Sequence, residues 1–335
     1  EGISSLNEPV YIGESNEVKK IKNKINTIIE HPFSSILITG ETGTGKGSIA
    51  KYIHYNYKGD MDKFVHLSCA DIAPNLLETE LFGFEKGAFT DAKSAKKGLI
   101  ELADRGTLFL DEIDSIPLSL QSKLLNFLDD KKIRHVGSVK ERKCDVRLIT
   151  ATNANLETLV KEKKFRKDLF FRLNTIKLEL PPLRERLSDI DMLAQYFRNI
   201  FNLSFSKNIN SISKNAIEKL KKHAWPGNVR ELKNVIENAM IFCRDGEIKS
   251  ENINFGTTNI NYENENTMNT KPDKQTKIYS EDNTITIDIL KESVLTLKEF
   301  EKLYIKNILE LFNNNRTETA KALDISRTTL ISKIK

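Results

Sequence analysis

The first 180 residues alternate two hydrophobic rhythms. Short apolar runs recur at Ser35–Thr39 (SILIT), Phe64–Ser68 (FVHLS), Thr107–Asp111 (TLFLD), Val146–Ala151 (VRLITA) and Thr175–Leu180 (TIKLEL). Their length and composition are those of buried strands. Between them, stretches such as Leu118–Leu128 place apolar residues three and four apart, as an amphipathic helix does. This alternation predicts an α/β fold, a parallel sheet between helices. The pattern changes at Pro181-Pro182: from Asp189 to Arg244 only helical periodicity remains, predicting a small all-α unit. Thr257–Thr284 is rich in Asn, Thr, Glu and Lys and poor in large apolar residues, which predicts a linker without structure of its own. A compact helical pattern returns from Leu295 to Lys335. The chain therefore divides into an α/β unit (1–180), a helical unit (181–255), a linker (256–293) and a second all-α domain (294–335).

Composition narrows the class. A chain of 335 residues has room for two or three domains, and its charged share of 30% with an apolar share of 39% suits a water-soluble protein. The net charge of +5 permits nucleic-acid binding without requiring it. Cys69, Cys144 and Cys243 have neither metal-ligand nor redox spacing, so a reducing, cytoplasmic setting is expected. The chain reads as having no bilayer-spanning run and no secretory leader. It opens on Glu1 rather than Met, with little before Tyr11, so it reads as a piece of something longer.

The candidate chemistry begins at Gly40–Gly47, GETGTGKG, which follows a predicted strand and opens a predicted helix. That context makes it a phosphate loop. Backbone N–H groups from Gly40, Glu41, Thr42, Gly43, Thr44 and Gly45 to Lys46 would cradle phosphates, and the Lys46 amine would reach the β and γ groups of ATP. The position that ordinarily supplies a hydroxyl to Mg²⁺ is Gly47; Ser48, one step on, points about 100° away around the helix. Mg²⁺ must then rely on a carboxylate, and Asp111 at the end of the TLFLD strand is suitably placed. Glu112 beside it could polarise an attacking water. Thr152-Asn153 ends another strand, where a polar pair could sense the γ-phosphate or hold the water. Arg166 and Arg172 could meet charge developing on that phosphate, although taken alone they read rather as salt-bridging surface arginines. In WPGNVREL, Asn228 with Glu231 resembles a capping box. Arg230 sits in the first helical turn against the macrodipole, which suggests a bound phosphate.

Together these segments resemble the AAA+ domain of bacterial enhancer-binding proteins, the activators of sigma-54 RNA polymerase. The resemblance spans roughly Ile12 to Arg244 and rests on GETGTGK, LFGFEKGAFTDA, GTLFLDEI, ATN, FRKDLFFRLN, PPLRER and WPGNVRELKN, in that order. It implies an AAA+ P-loop NTPase with a small helical lid. It also implies a homohexameric ring reached from dimers, with ATP between subunits, Arg166 and Arg172 acting on a neighbour's ATP, and Arg230 as the lid's sensor. GAFTDA, Gly87–Ala92, is similar to the loop with which the family touches sigma-54, making Gly87, Ala88, Phe89 and Thr90 contact residues. Three departures stand out: Asp91 for the loop's second glycine, Gly47 for a usual glutamate, and Ser68 for the asparagine that holds the catalytic glutamate. Lys86 and Lys93 flank Asp91 and could pair with it.

The last forty residues resemble the Fis-like helix-turn-helix domain of these activators, which implies binding of double-stranded DNA upstream of promoters. An amphipathic helix with Phe300, Leu303, Ile308 and Leu311 offers a dimer face. Ala320 and Leu323 pack the first helix of the motif, and Asp324-Ile325-Ser326 make the turn. Ser326, Arg327, Thr328 and Thr329 open the recognition helix, and Lys333 and Lys335 suit phosphates. Two other readings remain at this point: a DNA-binding AAA+ regulator that hydrolyses ATP without engaging sigma-54, which Asp91 favours, and a DNA-binding protein with a vestigial nucleotide domain.

Overall fold

The computed structural model describes residues 9–31, 35–58, 61–90, 92–244, 246–255, 278–281, 284–287, 305, 309, 315–323 and 325–334. The chain separates into two units, 1–258 and 259–335.

In the first unit, β1 (Ile36–Thr39), β2 (Phe64–Ser68), β3 (Thr107–Asp111), β4 (Arg147–Thr152) and β5 (Ile176–Glu179) form one parallel sheet in the order β2-β3-β4-β1-β5. All five are apolar runs named from the sequence. Their alternate side chains serve opposite faces, as strand geometry requires. Leu108, Leu110 and Leu148 enter one cluster with Leu81, Leu124 and Phe127, while Phe109, Ile149 and Ala151 enter another with Ile25, Ile49 and Ile53. Both faces are thereby covered by helices: α1 (Asn16–Ile29) and α2 (Lys46–Lys58) on one, α3 (Pro74–Phe82), α4 (Leu99–Leu102), α5 (Leu118–Asp130), α6 (Leu156–Lys161) and α7 (Lys167–Leu173) on the other or at its rim.

The rest of this unit is a helical lid. α8 (Ile190–Phe205), α9 (Lys214–Lys221) and α10 (Asn228–Phe242) enclose their own core around Trp225, whose Nε1 donates to the Leu220 carbonyl at 2.9 Å. Ser213 caps α9 by accepting from Ala216 N. Helical periodicity alone misses one feature here, the parallel pairing of Ser211–Ile212 with Glu247–Ile248.

In the second unit, α11 (Arg316–Ala322) and α12 (Arg327–Ile334) share a small core of Ile305, Ala320 and Leu330, with Leu323 and Ile325 against it. Asn315 caps α11. The structureless linker needs one correction: Ile278–Glu281 and Thr284–Ile287 form an antiparallel pair. The β-branched run Thr284-Ile285-Thr286-Ile287 explains it, and a composition-based reading averages that run away. The dimer-face residues Phe300, Leu303, Ile308 and Leu311, along with Asp91, Asp324 and Lys335, lie outside the described residues.

Candidate nucleotide site and partner loops

The loop from Gly40 to Gly45 joins β1 to α2, and its three glycines all have positive φ (154°, 81° and 103°), which only glycine adopts readily. At Gly43 the lid also presses close: a Cβ there would lie 2.2 Å from the Gly227 carbonyl oxygen. At Gly47 the situation differs. A Cβ would meet only Phe109 Cε1 at 3.7 Å, an ordinary contact, so space does not demand glycine.

Lys46 Nζ donates to the carbonyls of Gly40 (2.8 Å) and Glu41 (3.1 Å). Its burial lowers the ammonium pKa, with Arg230 acting in the same direction and Asp111, Glu112 and Asp114 opposing. The two acids named from the sequence therefore act on the charge of the phosphate-loop lysine. Asp111 ends β3, and its Oδ1 accepts from Glu112 N at 3.0 Å. Glu112 is held in left-handed backbone (φ 53°), a strained state for a non-glycine. Ser68 Oγ donates to Glu112 Oε2 at 3.1 Å, so the short hydroxyl does reach the glutamate. Cys69 beside it is no nucleophile: burial, with Asp111 next, pushes its thiol to about 12.

Thr152 and Asn153 part company. Asn153 Nδ2 donates to Thr42 Oγ1 at 3.2 Å, at the rim of the phosphate loop. Thr152 is fully buried, and its hydroxyl donates to Asp114 and accepts from Ala154 N. It supports the turn, while Asn153 is the one that faces the site. Arg166 and Arg172 stand together on the α5–α7 side. Arg166 pairs with Asp168 and donates to Ser122 Oγ; Arg172 pairs with Asp129 at 3.0 Å and donates to the Leu128 carbonyl. Neither makes a described bond to the phosphate loop of its own chain. Thr42, Ser48 and Arg230 are exposed.

The lid holds the loop through residues that sequence reasoning missed. Arg184 forms a two-point ion pair with Glu41 at 2.8 and 2.5 Å. Arg186, buried, donates to the Thr44 carbonyl at 2.9 Å and to Tyr11 Oη at 3.2 Å. The capping-box expectation for Asn228 is corrected. Gly227 is the N-cap of α10, and it is Gly227 N that donates to Glu231 Oε2 at 2.8 Å. Asn228, left-handed and buried, turns instead to the phosphate loop. Its Nδ2 donates to Glu41 Oε2 and the Thr42 carbonyl, and its Oδ1 accepts from Leu183 N at 2.7 Å. The signal was available in part: cations packed into PPLRER and a polar residue straight after WPG.

Gly87–Ala92 closes a hairpin whose stem pairs Gly83–Phe84 with Lys96–Lys97. Gly87 N donates to the Ala92 carbonyl and Ala92 N to the Phe89 carbonyl, at 2.9 and 3.0 Å. Ala92 is buried as the anchor, while Thr90, Lys86 and Lys93 are exposed. Phe89 is 44% exposed, yet one side of its ring lies 4.9 Å from that of Phe84. The two rings are tilted by 59°, so Phe84 covers one side of the tip and leaves the other to solvent.

On α12, Ser326 Oγ accepts from Thr329 N at 3.0 Å and so caps the helix; Arg327 and Thr328 are exposed, and Lys333 lies further along.

Residues 11–179 match the family described as "Sigma-54 interaction domain", 184–270 the "AAA+ ATPase lid domain", and 296–335 "Bacterial regulatory protein, Fis family". The chain belongs to the sigma-54-dependent transcriptional regulators. It is 43% identical to the regulatory protein AtoC of Escherichia coli over 90% of this chain and 62% of that one. It is also 43% identical to the sigma54-dependent transcriptional regulator SfnR of Pseudomonas fluorescens, over 68% and 62%. The solved structure of NtrX from Brucella abortus in complex with ATP superposes with a TM-score of 0.71 at 29% identity, covering 99% of this chain and 70% of that one. The chain spans less than two thirds of the length of the curated relatives named here. Among the described residues, no helix is long and apolar enough to cross a membrane.

Proposed function

We propose that the protein is an ATP-hydrolysing transcription activator that binds upstream DNA and remodels sigma-54 RNA polymerase. One observation carries the reading: a glycine-rich loop folded round Lys46, with Asp111 and Glu112 at the end of β3, on the same α/β unit as a hairpin offering Phe89 to solvent. ATP is supported by this geometry and by the ATP complex of the NtrX relative. Lys46 would exchange its two carbonyls for phosphate oxygens. The carboxylate of Asp111 suits Mg²⁺, a hard cation that favours oxygen ligands, although Gly47 brings no hydroxyl to share the task. When bound, the metal supplies charge neutralisation at the phosphates.

Glu112 accepts the water's proton, with Ser68 fixing its carboxylate and Asn153 lining the approach. Arg166 and Arg172 act on the next subunit's ATP in a ring, proposed as a hexamer assembled from dimers, and Arg230 closes from the lid. Gly87, Ala88, Phe89 and Thr90 meet sigma-54. Ser326, Arg327, Thr328, Thr329 and Lys333 meet double-stranded DNA, in a cytoplasmic protein. The work divides along the chain: hydrolysis and sigma-54 contact over 1–180, the lid over 181–255, DNA over 294–335.

The test is open-complex formation at a sigma-54 promoter with purified polymerase. ATP with native protein should open the promoter, and Lys46→Ala should not. Mixing Lys46→Ala with Arg172→Ala, each inactive alone, should restore part of the ATPase activity, since one subunit supplies what the other lacks. Promoter opening that ignores ATP, or no recovery in rings shown to be mixed, would contradict the assignment.

A further inference from the structure

Thr42 is tied to both the lid and the sheet. Its carbonyl accepts from Nδ2 of the fully buried Asn228 at 3.0 Å. The residues beside it are held from the same direction. Glu41 accepts from Arg184 and Asn228, and the Gly43 carbonyl accepts from Val229 N and Arg230 N at 3.0 and 3.3 Å. The lid thereby fixes the Thr42 backbone. The Thr42 side chain serves the sheet instead: Oγ1 accepts from Asn153 Nδ2 at 3.2 Å. Branching at Cβ restricts the torsion that aims this hydroxyl.

Asn153 is the reverse case, with a fixed backbone and a loose side chain. Before it, the Thr152 hydroxyl donates to Asp114 and accepts from Ala154 N. After it, Asn155 caps α6 by accepting from Glu157 N and Thr158 N at 3.0 and 3.2 Å. The Asn153 side chain is exposed. With Gly40, Glu41 and Asn155 it borders a cavity of about 300 Å³, so packing does not set the angle of its amide. Among the described residues, Thr42 is the only hydrogen-bond partner of that amide.

The angle matters for chemistry. The torsion that turns an asparagine amide is broad and roughly two-fold. A half-turn exchanges its N–H donors for its carbonyl acceptor. Toward a phosphate oxygen the first arrangement attracts and the second repels. With Nδ2 on Thr42, one N–H is used there and the second stays available on the same side of the amide.

We propose that Thr42 is a positioning residue for ATP hydrolysis: its hydroxyl holds the Asn153 amide with the N–H end toward the phosphate loop, so that the γ-phosphate meets a donor. The role rests on the reading of Asn153 as a group lining the nucleotide site. Thr42 then contributes its side chain as well as the backbone N–H that any residue would bring to the cradle.

The experiment compares native, Thr42→Val, Thr42→Ser, Asn153→Ala and the double variant Thr42→Val with Asn153→Ala, all in the full chain. Two properties are read: equilibrium affinity for ADP and for ATPγS, and kcat and KM for ATP turnover. Melting temperature is the folding control. Valine keeps the shape of threonine and removes the hydroxyl. Thr42→Val should weaken ATPγS binding about three- to tenfold, the scale of one hydrogen bond, and lower kcat/KM at least as far. ADP has no γ-phosphate, so its affinity should stay within about twofold of native. Thr42→Ser keeps the hydroxyl and should keep the native preference for ATPγS over ADP. Because Thr42 acts through Asn153, adding Thr42→Val to Asn153→Ala should cost no more than about a further twofold. Equal losses for ADP and ATPγS would overturn the inference, as would losses that multiply in the double variant. If Asn153→Ala is impaired while Thr42→Val matches native, the inference alone falls. If Asn153→Ala matches native in both affinities and in turnover, the reading of Asn153 as a site residue falls, and this role with it.

Discussion

The phosphate loop and the GAFTDA loop are both glycine-punctuated turns on one sheet domain, but they are held differently. Between Glu41 and Thr44 each residue is bonded to the lid, through Arg184, Arg186, Asn228 or the first amides of α10. From Gly87 to Thr90 the chain has its own backbone bonds, one ring contact to Phe84 and a close approach to Gly137. Donors that orient phosphates act best when fixed before the reaction, because no reorganisation is then needed at the transition state. A contact that must be offered and withdrawn belongs among weakly held segments. This contrast fits the proposal that one loop serves hydrolysis and the other a partner.

The largest expected effects break the cradle. Lys46→Ala should abolish ATP binding, because the loop loses its cation for the β and γ groups. Glu112→Gln should bind ATP and lose hydrolysis by about 10²-fold or more, the usual scale for a missing general base. Nucleotide affinity and turnover measured on both proteins check this; equal loss of binding would contradict the roles. Next comes Gly43→Ala. Its Cβ would meet the Gly227 carbonyl, and φ of 81° is unfavourable for alanine. A cost of about 1–3 kcal/mol is expected from the strained backbone alone, read as a lower melting temperature together with faster hydrogen exchange at the start of α10. Gly87→Ala is the matching change in the other loop. Its φ of 83° is similar but nothing lies within 4 Å, so the loss should be smaller and confined to the hairpin.

The smallest effect concerns pH. Hydrogen bonds from Arg184, and less strongly from Asn228, hold the Glu41 carboxyl below its usual range against the opposing effect of burial. Its contribution to lid docking is therefore complete above the unfolded value, about 4.3, and fades as pH falls through the lowered one. The pair is well exposed, so solvent screens it. Melting temperature against pH should dip slightly more steeply for the native chain than for Glu41→Gln below that value.

Much of this was legible because it is local. A strand, four residues and Gly-Lys define the phosphate loop, and an apolar run ending in two acids defines its partner. Five apolar runs therefore named the sheet, and the motifs named the residues that meet at its edge. What stayed hidden is long-range. Arg184 meets Glu41, and Asn228 meets Thr42, across more than 140 residues, and no spacing rule links them. Asn228 also sat three residues before Glu231, so the local capping pattern pointed the wrong way. Thr152 and Asn153 looked alike in sequence, yet Thr152 ends β4 and Asn153 opens the bend after it, and one bonds to Asp114 while the other reaches the loop. The tilted contact of Phe89 with Phe84 depends on how a hairpin closes, and that is invisible in its composition.

The central claim is that ATP turnover and sigma-54 contact reside in separate loops of one domain. The most direct measurement is capture of sigma-54 by native and Phe89→Ala chains with ADP and aluminium fluoride, with ATPase activity recorded on the same samples. Truncating a half-exposed aromatic hot spot should weaken capture by at least about thirtyfold, or about 2 kcal/mol, and leave ATPase activity within about twofold of native, because the Phe89 ring packs on Phe84 in the hairpin and not on the phosphate loop. Capture that survives Phe89→Ala, or ATPase activity that falls with it, would contradict the account.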